Sequence, residues 1–301
     1  MKHFIRLDGF FLKVMMTRSL TLSLMVILCF LNGVTACFAQ DWQESGGEHF
    51  MVYFTQDKEF AQEVLNKAEA YYVQIASDLG YPRYSEFWTW EHRVKIYIYP
   101  DRQAYQQVSN QPGWSEGMAD YRNKRIISYA HGEGFLDTLL PHEMAHLIFR
   151  DFVGFKGEVA TWLDEGVAQW AEPFKRERVK AVSKYLLKNG RLFSVADVVN
   201  LDIRKVSGNN KVDIHSIRGE DGKRTLLSLN GQDVVDIFYV EAVSLVGFLI
   251  AHYGADSFTE FCRQLRDGKS LEEALSFAYS TRIGSIEDLE REWLRYLSGE
   301  N

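Results

Sequence analysis

Two histidines in His142-Glu143-Met144-Ala145-His146, followed by Glu165 in Trp162-Leu163-Asp164-Glu165-Gly166, constrain this chain more than any other feature. The i, i+4 spacing puts both imidazoles on one face of an α-helix, where they can hold one metal ion together. Glu143 lies about 100° around that helix. It is poorly placed as a ligand but well placed to reach a water on the metal. The interval from His146 to Glu165 leaves room for a turn and a second helix that returns a carboxylate. Two His and one Glu leave the fourth position of a tetrahedral zinc ion open, as a catalytic site requires and a structural one avoids. Leu139, Leu140, Leu147 and Ile148 flank the motif and predict a helix buried on most sides. These residues predict a zinc hydrolase, with His142, His146 and Glu165 as ligands and Glu143 as general base.

The pattern resembles the gluzincin metallopeptidases, relatives of aminopeptidase N and thermolysin, and most closely their peptidase MA-like group. The resemblance runs from about His49 to about Leu297 and is dense in His142–His146, Trp162–Trp170 and Phe238–Leu249. It implies a zincin-like α+β fold with one Zn2+ per chain and a peptide or protein substrate. It also implies that Tyr239 is the tyrosine that opens a downstream helix and steadies the tetrahedral intermediate. One departure limits the inference about substrate. Family aminopeptidases carry Gly-Ala-Met-Glu-Asn on an edge strand, and its Glu captures a free amine. Here the comparable region reads Gly117-Met118-Ala119-Asp120-Tyr121, with Asp120 as the nearest carboxylate. Endopeptidase activity is therefore at least as compatible with the chain as aminopeptidase activity. The alternatives to a peptidase are a non-catalytic binding protein on a zincin scaffold and a zinc hydrolase of a non-peptide substrate.

The first forty residues read differently from the rest. Lys13 and Arg18 precede an apolar run from Leu20 to Leu31, too short to span a bilayer comfortably, and small residues lead to Ala39-Gln40. That is the layout of a secretory signal, expected over residues 1–39. Val34-Thr35-Ala36-Cys37 also resembles a bacterial lipobox, which would end the signal at residue 36 and leave a lipid on Cys37. An uncleaved anchor is the third alternative. The expectation is an exported protein, periplasmic or extracellular, that meets a membrane only through an uncleaved signal or a lipidated Cys37. Loss of Cys29 and Cys37 leaves Cys262 alone, so no intramolecular disulfide forms. The net charge is −7, and removing the +3 of residues 1–39 leaves −10. Nothing basic is concentrated enough to indicate nucleic acid as a partner.

Along the mature chain, residues 48–153 predict an α/β lobe that carries the active helix, and 154–301 a mainly helical lobe. Strands are expected at His49–Thr55, Arg93–Tyr99 and Lys124–Tyr129, with a helix over Asp57–Leu79. Together they make a small mixed sheet covered by helices on one side. Asp41–Glu48 reads as a polar lead-in. Pro141 would break a helix interior but is tolerated in a first turn, so Asp137 is the expected N-cap of a helix reaching about Phe152. Gly154 and Gly157 mark the turn, and Glu158–Phe174 is the expected second helix. Helices follow at Glu177–Lys188, Val195–Asn200, Gln232–Tyr253, Ala255–Asp267, Leu271–Phe277 and Ile286–Leu297. Asp202–Gly231 reads as a long connection, either a solvated loop or a wall of the cleft.

Ligand histidines need orienting partners. Asp164 and Gln169 are the candidates, although Asp164 is expected to face another side of its helix. Trp88 and Trp90, near Tyr81 and Phe87, read as packing before any binding platform. His131 reads as a loop residue, His215 and His252 as incidental, and Cys262 as a small core residue.

Overall fold

The strand with the strongest alternation becomes the centre of the sheet. In a computed structural model, describing residues 41–80, 88, 90–110, 115–129, 134–155, 158–218, 223–279 and 282–299, β3 (Val94–Tyr99) lies between β2 (Phe50–Phe54) and β5 (Arg125–Tyr129), parallel to both. Two antiparallel edge strands complete a mixed sheet of order β1-β2-β3-β5-β4: β1 (Gln43–Gly46) beside β2, and β4 (Gly117–Asp120) beside β5. β1 falls in the expected polar lead-in. An edge strand is held by its backbone ladder, so its side chains need no apolar period.

Period-two alternation sorts the two faces. Phe50, Val52, Phe54, Val94, Ile96 and Ile98 are buried beneath α1 (Lys58–Asp78), each contributing roughly 1.5–3 kcal/mol. On the other face, Tyr53 stacks on Tyr97 at 4.9 Å, and Trp42 meets Tyr97 and Tyr99 edge-on. α1 starts at the side chain of Asp57, which accepts from the N–H of Phe60.

The chain then turns helical, with α2 (Arg102–Ser109), α3 (Leu140–Val153), α4 (Thr161–Trp170), α5 (Pro173–Lys188), α6 (Val195–Asn200), α7 (Gly231–Tyr253), α8 (Ala255–Arg266), α9 (Leu271–Ala278) and α10 (Ile286–Ser298). By length and composition α7 could cross a bilayer. Here Val234, Phe238, Ala242, Leu245, Val246 and Leu249 are fully buried, and α7 serves as the central core helix. Trp42–Asn301 is one compact unit; a large apolar cluster runs through it from Phe50 to Leu297, and a smaller one of Tyr105, Ile127 and Tyr129 lies apart from it.

Three local expectations are corrected. Asp137 does not cap the active helix. It accepts from Lys67 Nζ (2.8 Å) and Tyr71 Oη (3.1 Å). A π-helical turn, Phe135–Leu139, precedes α3, and the N–H of Leu140 reaches back to the carbonyl of Phe135. Widening to i→i+5 relieves the clash between the Pro141 ring and the turn before it, where Pro141 has no N–H to give. Second, the helix expected through Phe174 stops at Trp170. Pro173 disfavours helical geometry at Glu172, which is extended (φ −79°, ψ 114°), and α5 starts anew at the proline. Third, the stretch expected as an irregular connection holds a hairpin. β7 (Lys211–Arg218) and β8 (Lys223–Asn230) join β6 (Leu192–Phe193) in an antiparallel sheet, with Ile214 and Ile217 buried.

Candidate metal centre

Two glycines bring the second helix to its place. A Cβ on Gly166 of α4 would lie 2.6 Å from the carbonyl oxygen of Ala242, and one on Gly247 of α7 would lie 2.3 Å from the Trp170 ring. α4 and α7 therefore pack backbone against backbone. That contact sets Glu165 of α4 beside Tyr239 of α7, facing the His142–His146 face of α3. Gly154, in the left-handed conformation (φ 79°), ends α3 and lets the chain reverse.

The ligand atoms of His142, His146 and Glu165 lie within 4.8 Å of one another. Nε2 of His142 is 3.2 Å from Nε2 of His146 and 3.7 Å from Oε2 of Glu165. Tetrahedral zinc with bonds of about 2.0–2.1 Å spaces its ligand atoms about 3.3 Å apart. The three residues therefore suit a metal ion.

The outer nitrogens explain why the inner ones face each other. Nδ1 of His142 donates to Glu172 Oε1 at 2.9 Å, and Nδ1 of His146 lies 3.1 Å from Asp164 Oδ1. With a proton on each Nδ1, towards these carboxylates, both Nε2 atoms would present lone pairs across 3.2 Å. That arrangement repels itself unless a cation or a proton stands between the rings. A proton can serve in place of a cation. Burial disfavours a charged His146, but Asp164, Glu165 and Glu143 outweigh it and raise its pKa to about 9.

Asp164 is itself anchored. Its Oδ2 accepts from Arg150 at 2.6 Å. Burial would raise its carboxyl, but His146 and Arg150 prevail and hold it at about 2. Arg150, one turn beyond His146, also lies 4.3 Å from the ring centre of Tyr121. Tyr121 in turn meets His146 edge-on at 6.4 Å. Glu143 is half-buried, and its charge bears on both His146 and Tyr121. Tyr239 sits about two turns into α7, rather than opening it, and lines the same cavity as His142 and Glu165. Burial, then the charge of Glu165, raises its pKa and keeps the phenol a donor.

Several other candidates resolve differently. Gln169 lines the cavity, but the bond to His142 is made by Glu172, which sequence reasoning missed. Pro173 was the available signal, because it forces the break that frees Glu172. Tyr121 was also missed as a neighbour of the centre. Asp120 is committed to Asn123 and to Arg125 Nε at 2.9 Å, so it is a turn carboxylate and not a free amine receptor. Trp88 is buried, donating to Asp151 Oδ2 at 3.0 Å. His215 pairs with Asp197, His252 stacks on Phe248, and Cys262 is a buried free thiol. Among the described residues, strands β7 and β8 contribute none to the cavity lining. Tyr81, Phe87, His131, Gly157 and residues 1–40 lie outside the described residues.

No protein-family model matches the chain, and comparison with curated proteins finds no match.

Proposed function

We propose that this chain is an exported, zinc-dependent metallopeptidase of the gluzincin kind. The observation that carries the reading is the pair of imidazoles whose Nε2 atoms converge with Glu165, each with its own carboxylate beside Nδ1. Structural zinc sites close all four positions with protein ligands, whereas this group supplies three. Bound there, zinc supplies a Lewis acid that acidifies water towards a pKa of about 7 and polarises a carbonyl.

The chain's own residues supply the rest. Glu143 takes the proton of the attacking water and delivers it to the leaving amine nitrogen. Tyr239 donates its phenol hydrogen to the developing oxyanion. Glu172 and Asp164 keep the histidines in the Nδ1–H tautomer throughout. A peptide rather than a small ester suits the surroundings, because β4 is an edge strand packed against α3. An extended backbone can pair with such an edge. The export signal read in residues 1–39 supports a place of action in the periplasm or outside the cell, free or anchored through a lipid on Cys37.

The test is zinc content together with hydrolysis of a mixed peptide library, by the protein and by Glu143→Ala. One zinc per chain, with cleavage lost in the variant while zinc stays bound, supports the reading. A folded protein that takes up no zinc sinks it.

A further inference from the structure

The cavity at the ligands, of about 500 Å3, has walls of two characters. Val179 and Val182 of α5 face Val240 and Val243 of α7, giving an apolar interior. At the lip stand Phe174 and Arg178 of α5, with Asp236 of α7 among the other lining residues. Phe174, Arg178, Val182 and Tyr185 recur at helical spacing and fall within an arc of about 80° on α5. Phe174 is 59% exposed, Val182 39% and Tyr185 65%, so the apolar stripe continues out of the cavity along the helix surface.

α5 is also the basic element of an acidic chain. It carries Lys175, Arg176, Arg178, Lys180, Lys184 and Lys188 against Glu177 alone, while the whole chain is −7. Several of these cations are occupied. Lys175 donates to Glu172, Arg176 pairs with Asp78, and Lys180 lies 3.7 Å over the Tyr296 ring. Arg178 differs: its contact among the described residues is the Phe174 ring, 3.9 Å away, which holds the guanidinium at the cavity mouth. Asp236, which accepts from Gln232, puts a carboxylate on the α7 side, so a negative ligand is steered towards α5.

We propose that the cavity and the α5 stripe form one groove that binds a peptide segment bearing an apolar side chain followed by a carboxylate. The side chain enters between the valines, and the carboxylate meets the guanidinium of Arg178, whose planar fork matches it. This substrate preference rests on the peptidase reading, but its binding half can be tested without catalysis.

Fluorescence anisotropy with the Glu143→Gln protein would compare three labelled peptides of one apolar sequence: a free C-terminal carboxylate, a C-terminal amide, and an amide with a glutamate side chain in the following position. One or both carboxylate peptides should bind about tenfold tighter than the neutral amide, and the tighter one identifies the source of the charge. Adding Arg178→Gln should remove that advantage and leave the neutral peptide unchanged. Val182→Glu, at an exposed position that tolerates charge, should weaken all three. Equal affinity for the three peptides, or an Arg178→Gln loss that is the same for the neutral one, overturns the inference. A wild-type protein that cuts no library peptide overturns the peptidase reading instead, and the binding comparison still decides the groove.

Discussion

Glu172 Oε1 accepts a hydrogen bond from Nδ1 of His142 at 2.9 Å, across thirty positions of sequence. The same oxygen accepts from Lys175 Nζ at 2.8 Å, so the buried carboxylate is held from two sides and aimed at the imidazole. The contact exists because Pro173 interrupts the helix that carries Glu165.

Removing that contact weakens the metal site without dismantling the fold. Glu172→Gln should lower zinc affinity about ten- to hundredfold, as measured by competition with a chromogenic chelator. Far-UV circular dichroism should not change.

Glu143 and Tyr239 separate metal binding from chemistry. Glu143→Gln should retain zinc and lose about 10²–10⁴-fold in kcat. Tyr239→Phe, which keeps the ring that packs in the cavity, should lose about 10²–10³-fold in kcat with little change in KM. An equal loss of zinc in either variant would mean that the residue is structural.

Helix contact sets ligand position, so Gly166→Ala should affect both stability and metal. The added methyl meets the Ala242 carbonyl at 2.6 Å, which is backbone and cannot swing away. The gain in helix propensity, up to about 1 kcal/mol, is then outweighed by overpacking of about 1–3 kcal/mol. Thermal unfolding should shift downward, and zinc affinity should fall as Glu165 is pushed from the histidines.

In the metal-free protein the proton takes the place of the cation. His146 has a folded pKa of about 9 against an ordinary 6.5, so its protonated form stabilises the fold fully below pH 6.5. That contribution disappears as pH rises through about 9. The Tm of the chelator-treated protein should therefore decline across this window, and the zinc-loaded protein should show no matching decline. Zinc and this proton compete, so apparent zinc affinity should climb with pH over the same interval. A flat affinity would remove the proton from the site.

The parallel core strands were legible because burial on one face writes itself as alternation, as in Val94–Tyr99. β1 was not, since an edge strand draws on the backbone alone. The hairpin β7–β8 was masked by its polar composition: only Ile214 and Ile217 of its apolar positions are buried. Asp137 looked like a cap from its position before Pro141, yet Lys67 and Tyr71 claim it from α1, a contact no local rule contains.

The candidate metal-binding group was legible in the sequence, because helical periodicity carries His142 and His146 to one face whatever surrounds them. The return of Glu165 was determined nearly as firmly, by the length available for one turn and one helix. Tertiary structure decided which groups stand behind the ligands. Asp164, expected to face away, reaches His146, and Glu172 rather than Gln169 holds His142. Both outcomes depend on the angle and depth at which α4 settles against α7 and α3. Gly166 and Gly247 permit that approach, but its geometry is a property of three packed surfaces and not of any one segment.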